Sequence, residues 1–395
     1  MIYLDNASTT QIDPEVLDSM MPFLKEEYGN AGTLYSLGRR AAEAVAIARQ
    51  SVADLIGASP EQIIFTSGGT ESNNMVFKGT RDIMLMRGKN RIITTQIEHD
   101  SVLNAVKDMC KPDIKPAFYA EYIAPERSGG ISPDKVIERI VSNDAVGIVS
   151  VMHTNNETGI RNKGLKDIAI ACSKKGAFFH TDCVQAVGSS YIDVNDMSCD
   201  FLSISSHKIH GCKGVGALYI KDKEYVSPMI SGGRFQEYGL RGGTENVAGI
   251  VGFGKACDIM RRDFQKAKEH VKFLRKMLYD CLNMEMLERE LDGIMHINGD
   301  IDLDDYGKTL NIRFDGIDSE TLVLMLDANG VCVSAGSACQ SHESNPSHVL
   351  LAIGISPDDA RCSIRFSLSK MNTENEIKSA AKIVAECVAS LHGTY

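Results

Sequence analysis

Seven stretches of this chain hold side chains suited to chemistry. In Thr66-Ser-Gly-Gly-Thr-Glu-Ser72 a short apolar run meets two glycines and then a helical pattern. Glycines let the backbone approach an anion, and a helix N-terminus offers free N–H groups and the positive end of a dipole. Gly69 and Thr70 could therefore cradle a phosphate, although the same residues also make an ordinary turn and N-cap. Phe201-Leu-Ser-Ile-Ser-Ser-His-Lys208 carries Ser205, His207 and Lys208 to the end of an apolar strand. Desolvation there lowers a lysine's pKa and makes its amine a nucleophile for Schiff-base chemistry; a surface lysine at a strand end is the plainer alternative. Phe178-Phe-His-Thr-Asp-Cys-Val-Gln185 ends a buried strand in Asp182, with Gln185 three residues on. A carboxylate so placed can hold a protonated ring nitrogen or cap a helix. His99, in Gln96-Ile-Glu-His-Asp100, could stack on a flat ring or move a proton, or be structural. Asn155-Asn-Glu-Thr-Gly159 follows another strand and also reads as a turn. Cys339 stands in Val333-Ser-Ala-Gly-Ser-Ala-Cys-Gln-Ser-His-Glu-Ser-Asn-Pro346, a run of small and polar residues that reads as an exposed, flexible loop. A free exposed thiol is a liability unless it is used. Arg365 lies inside the strand pattern Cys362-Ser-Ile-Arg-Phe-Ser367, where it needs a carboxylate partner, from a ligand or from an Asp or Glu of the chain.

These residues need a scaffold, and the pattern supplies one. Helical periodicity at Ala41–Leu55, Ser101–Met109 and Leu165–Lys174 alternates with apolar runs at Ile63–Phe65, Arg91–Thr95, Val146–Met152, Ala177–His180, Phe201–Ser205 and Val215–Ile220. Strands apolar on both faces and separated by helices predict a mostly parallel sheet covered on both sides. A long basic helical stretch from Gly249 to about Glu288 reads as a connector between domains. Beyond it Thr309–Phe314, Ser319–Asp327, Val331–Ser334, Ser363–Ser367 and Glu374–Leu391 predict an α+β unit, with Thr373 as the last helix's N-cap.

At 395 residues the chain is long enough for about two domains. A formal net charge of −10 argues against nucleic-acid binding by bulk charge, though not against docking onto a protein that handles nucleic acid. No apolar run reaches the roughly 18 residues of a membrane helix, and the start carries no basic-then-apolar leader, so the expected location is cytoplasmic. Eleven scattered cysteines with no C-x-x-C pair predict neither a disulfide framework nor a typical zinc site. Most, Cys332 among them, read as small buried core residues.

In their order along the chain, the glycine turn, His99, Asn155-Asn-Glu-Thr-Gly159, Asp182-x-x-Gln185, Ser205-x-His-Lys208, Arg241-Gly-Gly-Thr244, Ser334-Ala-Gly-Ser-Ala-Cys339 and Arg365-Phe-Ser-Leu368 resemble the cysteine desulfurases. These belong to the class V aminotransferase group, with pyridoxal-phosphate (PLP) fold type I. Tyr3-Leu-Asp-Asn-Ala-Ser-Thr-Thr10 is similar to that family's start, and the likeness runs from about residue 2 to 390. The cysteine segment resembles the NifS/IscS-type branch. The resemblance implies an α/β fold with a large PLP-binding domain over residues 14–256 and a small domain, from 1–13 and 257–395, that carries the cysteine loop. It implies conversion of L-cysteine to L-alanine, with sulfur passing to a persulfide on Cys339 and on to an acceptor protein. Lys208 would join PLP covalently and move the Cα proton, Asp182 would pair with the ring nitrogen, and His99 would stack on the ring. Gln185 and Asn156 would contact the ring-hydroxyl side. Gly69, Thr70, Ser205 and His207 would hold the phosphate, with Thr244 reaching it from the other subunit of a homodimer. Arg365 would bind the substrate carboxylate, with Asn30 and Asn156 beside it.

Departures from the family pattern fall at Tyr35 (a common His), Cys183 (Ala after Asp182) and His210-Gly-Cys212 (Tyr-Gly-Pro). The sequence also stops short of the longer tail with which IscS-type proteins dock an iron–sulfur scaffold, which leaves room for roles in DNA phosphorothioation or tRNA thiolation. Selenocysteine lyase, or another PLP activity on the same fold, is the competing enzyme reading. A non-catalytic thiol-rich partner is the competing reading from another class.

Overall fold

The computed structural model describes residues 1–113, 117–300, 307–336 and 346–393. A short strand β1 (Ile2–Tyr3) and helices α1 (Pro14–Lys25) and α2 (Ser36–Ile56) open the chain. Strands β2 (Ile63–Thr66), β3 (Arg91–Thr95), β4 (Tyr119–Ile123), β5 (Val146–Ser150), β6 (Phe178–Asp182), β7 (Phe201–Ser205) and β8 (Gly216–Ile220) follow. Helices α3 (Gly69–Met86), α4 (Asp100–Met109), α5 (Pro133–Val141), α6 (Leu165–Lys175) and α7 (Val194–Met197) lie in their connections. These strands form one seven-stranded sheet in the order β2-β8-β7-β6-β5-β3-β4. Neighbours from β7 to β4 run parallel, and only β8 is reversed against its neighbours β7 and β2.

Strands β5 to β8 are buried at every residue, as expected where helices cover both faces. Successive strand residues point to opposite faces, and the core divides accordingly. Phe65, Ile93, Val149, Phe179 and Leu202 join one hydrophobic cluster. Their neighbours Ile64, Ile92, Ile148, Phe178 and Phe201 join another, with Phe77.

Helix α8 (Val247–Leu287) is 41 residues long and capped by Asn246, whose side chain accepts from Gly249 N. Its first half gives Ile250, Phe253 and Met260 to the core under the large sheet. Its second half gives Leu274, Leu278 and Leu282 to a separate core. That second core is closed by β9 (Met295–Ile297), β10 (Thr309–Phe314), α9 (Ser319–Ala328), β11 (Val331–Cys332), β12 (Ser363–Ser367) and α12 (Glu374–His392), while the short helices α10 (His348–Ala352) and α11 (Pro357–Ala360) form a small cluster of their own through Leu350 and Ala360. Here β12-β10-β9 form an antiparallel sheet, while β1 pairs with β11 in parallel. Thr373 caps α12 in a reciprocal box with Glu376. No helix among the described residues is long and apolar enough to cross a membrane.

The run expected as strand Val331–Ser334 pairs only at Val331 and Cys332, because Ser334 bridges to Arg365 instead. Cys332, expected in the core, is half-buried, with its thiol 3.9 Å from Asp327 Oδ1. In a two-residue strand beside the N-terminus, only one face meets the core. Helix α1 carries Pro22 in its interior, and β4 is mostly exposed and half polar. Neither was expected from the sequence.

Candidate active site

A cavity of about 200 Å³ opens at the C-terminal ends of the parallel strands. Ligands of open α/β sheets bind at this edge, because every strand delivers its following loop there. Gly69, Thr70, His99, Asn156, Asp182, Gln185, Ser205, His207 and Lys208 all line it. Gly68 lies at φ 152°, a conformation that favours glycine, and starts α3. A Cβ on Gly69 would meet Val184 Cγ2 at 2.7 Å, so the turn closes tightly over the loop after β6.

Asp182 ends β6. Its Oδ1 accepts from Val184 N at 2.9 Å and its Oδ2 from Asn73 Nδ2 at 2.8 Å. The capping alternative and an available carboxylate thus coexist. His99 caps α4, with Nδ1 accepting from Ser101 N at 3.0 Å. In the neutral ring this leaves the proton on Nε2. His207 contacts Thr9 Oγ1 through Nδ1 at 3.1 Å, and burial, aided by Lys208, pushes its pKa down to about 4. Lys208 follows β7 in a short turn and donates to Ala7 O at 2.5 Å and Ser8 O at 2.7 Å.

The cavity asks for a ligand with donors. Asn73 Oδ1 and Gln185 Oε1 are buried without a hydrogen-bond partner, and both residues line it. A helix N-terminus for an anion, a carboxylate for a protonated ring and a lysine for a carbonyl fit PLP. The class-V aminotransferase family matches residues 2–379. The chain belongs to that family. A cysteine desulfurase IscS from Clostridium botulinum (strain Hall) is 39% identical over 387 residues, 98% of this chain and 94% of the relative. A solved NifS-like protein superposes with a TM-score of 0.87 at 33% identity, covering 99% of this chain and 100% of that one. The structure of SspA in complex with cysteine gives 0.77 at 32% identity, covering 94% and 100%. The fold is PLP fold type I, and PLP is the cofactor of this family.

Around this family core, Arg365 is fully buried in the middle of β12. It donates to Asn156 O at 3.0 Å, Asp5 Oδ1 at 2.8 Å and Ser8 Oγ at 2.7 Å. Of the partners raised from the sequence, the one seen is an acid of the chain, Asp5, which holds one nitrogen, while Nε has no partner. Asn30 lies instead in an exposed turn ahead of α2, where its Oδ1 accepts from Gly32 N at 2.8 Å. Thr244 sits on an exposed loop and does not line the cavity. Cys339 lies outside the described residues. The described residues before it reach the site, since Ser334 and Arg365 exchange backbone hydrogen bonds at 3.2 and 2.7 Å.

Of the three departures, Cys183 is fully buried with its pKa driven far up by desolvation, Cys212 is half-buried, and Tyr35 is exposed. Sequence reasoning missed Asn73, Asp5 and the ion pair of Glu71 with Arg241 at 2.9 Å. That pair ties the Arg-Gly-Gly-Thr244 loop to the first turn of α3. Asn73 stands four residues after Gly69, on the same helix face, and that spacing was its available signal.

Proposed function

We infer that this chain is a PLP-dependent cysteine desulfurase, which converts L-cysteine to L-alanine and passes the sulfur to Cys339 as a persulfide. The observation that carries the reading is the convergence of Lys208, Asp182 and the Gly69 turn on one cavity. Bound PLP supplies an electron sink that acidifies the substrate Cα proton.

Asp182, oriented by Asn73, keeps the ring nitrogen protonated. With PLP bound, His99 would stack on the ring, and Gln185 and Asn156 would contact its hydroxyl side. Gly69, Thr70, Ser205 and neutral His207 hold the phosphate, and Thr244 of a second copy in a homodimer completes that end. Arg365 receives the substrate carboxylate, with Asn156 beside it. Lys208 takes the Cα proton and returns it to the substrate carbon. The Cys339 thiolate bonds to the substrate sulfur as the carbon–sulfur bond breaks; the electron pair stays on Cβ, which takes up the proton lost by the substrate thiol, leaving a persulfide on Cys339 and alanine. Residues 14–256 would form the cofactor-binding unit, and 1–13 with 257–395 the unit carrying Cys339. The persulfide then goes to a cytoplasmic acceptor protein, serving iron–sulfur cluster assembly, tRNA thiolation or DNA phosphorothioation.

The test uses purified protein, its visible spectrum, and L-cysteine with dithiothreitol. Wild type gives alanine and sulfide. Lys208→Ala loses the visible band of the covalently held cofactor, and Cys339→Ser keeps that band but loses sulfide. Full activity of Cys339→Ser on cysteine would replace the persulfide relay with a lyase reaction of the selenocysteine-lyase kind.

A further inference from the structure

The pair of Glu71 and Arg241 has no task in the chemistry above, yet it stands at the phosphate end of the site. Glu71 is the acid in the first turn of α3, the residue after Thr70. Its Oε2 accepts from Ser67 N at 2.7 Å, so the carboxylate reaches back to the residue before Gly68. Its side chain is only 9% exposed. Arg241 forks onto it, with Nε 2.9 Å from Oε1 and Nη2 3.4 Å from Oε2. Glu237 and Glu245 act on Arg241 through charge, but Glu71 is the acid that takes its hydrogen bonds. Burial works to raise the pKa of Glu71; the hydrogen bonds from Arg241 and Ser67 outweigh it and hold the group below the usual carboxylate range.

A second, buried pair fixes the segment that carries Arg241. Leu240 N donates to Glu237 O at 3.0 Å, and Gly242 N to Ile230 O at 2.9 Å. Glu237 is buried. Its carboxylate accepts from Phe65 N at 2.7 Å, in the strand β2 that leads into the glycine turn, and from both terminal nitrogens of Arg49 at 2.8 and 2.6 Å. Glu237 and Tyr238 take φ values of 42° and 57°. Non-glycine residues keep such a conformation only where their surroundings over-determine it. Arg241 is therefore clamped against the strand from which the Gly68-Gly69 turn departs.

A carboxylate in the first turn stabilises an empty helix, because it answers the positive end of the dipole. Where that end must also hold a phosphate, the same carboxylate has the wrong sign: uncompensated, it repels the incoming anion and competes for the same N–H groups. Resting on the reading of the Gly69 turn as the seat of the PLP phosphate, we propose that Arg241 is a positioning residue that acts through Glu71, cancelling the charge of that carboxylate so that the first turn of α3 keeps its attraction for the cofactor phosphate. Glu71 then shapes the turn through Ser67 N without opposing the anion.

The test is cofactor affinity, read from the visible band as the full-length protein, stripped of PLP, is titrated with PLP or with pyridoxal, which lacks the phosphate. Arg241→Met should weaken PLP binding by about tenfold or more, the effect of one uncompensated and largely buried charge beside the phosphate. It should leave pyridoxal binding unchanged. Glu71→Gln should hold PLP at least as tightly as wild type, and the double variant Glu71→Gln with Arg241→Met should recover the affinity that Arg241→Met loses. A double variant as weak as Arg241→Met overturns the proposal, since Arg241 then acts without Glu71. An equal loss for PLP and pyridoxal also overturns it, since that is what a merely structural Arg241 would give. If Arg241→Met does not fold, Glu71→Gln decides: weaker PLP binding than wild type overturns the proposal, and equal or tighter binding upholds it. The underlying reading fails by other signs: a wild type that binds pyridoxal as tightly as PLP has no phosphate seat, and one that binds PLP but makes no alanine and sulfide from cysteine is no desulfurase.

Discussion

The two sheets of this protein hold their functional side chains differently. In the seven-stranded sheet, Asp182 and Ser205 stand at strand ends, and Lys208 stands in the turn after β7. In β12-β10-β9, Arg365 stands in mid-strand, opposite Asn311 of β10. The parallel strands have both faces occupied by core, so polar chemistry is displaced to their C-terminal edge. The antiparallel sheet turns Leu310, Ile312, Ile364 and Phe366 into one core. The alternate residues face the other way, and there every polar group needs a partner. Asn298 donates to Asn311 and Ser363, Asn311 donates to Glu157 O, and Arg365 donates to Asn156 O and Asp5. Strand-end residues can thus be changed at small structural cost, whereas the mid-strand arginine is structural and functional together.

The contrast predicts separable mutant effects. Asp182→Ala should lower kcat by about a hundredfold or more, since it removes a preorganised charge at the cofactor ring, with little change in melting temperature; steady-state kinetics and thermal melts check both halves. Arg365→Leu should cost about 3 kcal/mol of stability, because it strands Asp5 without its partner. Arg365→Lys should restore most of that stability yet raise KM for cysteine by roughly tenfold to a hundredfold, through loss of the forked donor geometry. If Arg365→Leu unfolds no earlier than wild type, the mid-strand residue is not structural and the contrast fails.

A smaller effect lies in the pH dependence of stability. Burial pushes His153, His207 and His210 down to about 4 and His180 to about 3, from 6.5. The unfolded chain binds protons on these groups first, so their contribution is intact above pH 6.5 and lost as pH falls from there towards 4. Burial pushes Glu98 up from 4.5 to about 8, so its contribution is intact below pH 4.5 and lost as pH rises towards 8. Four histidines act on the acid side; on the alkaline side Glu98 acts first, and the buried thiols, whose pKa burial raises from 9.0, add to it only as pH nears 9. The melting temperature should therefore fall faster from pH 7 to 5 than from pH 7 to 9, and a melt series would show it. Thr373→Ala should have the smallest effect, about 1 kcal/mol from loss of the α12 cap, with turnover unchanged.

Much of this was legible in the residues. Buried strands such as Phe201–Ser205 announce themselves because both faces are apolar, and Gly68-Gly69 and Lys208 stand out because they interrupt such strands at the right ends. Partners distant in sequence were not legible. Asp5 meets Arg365 across 360 positions, and Asn73 meets Asp182 across 109. Local pattern carries no record of such pairings.

The sequence alone therefore determined the alternating layers, the strand-end placement of Asp182, Ser205 and Lys208, and the family to which their order belongs. Period-two and helical patterning act over neighbouring residues, and so can be read from them. The tertiary structure decided what each charge faces. Asp5 and Ser8 occupy part of Arg365, and Asn73 orients Asp182. A charge's behaviour depends on its partners and on solvent within a few ångströms, and folding sets both.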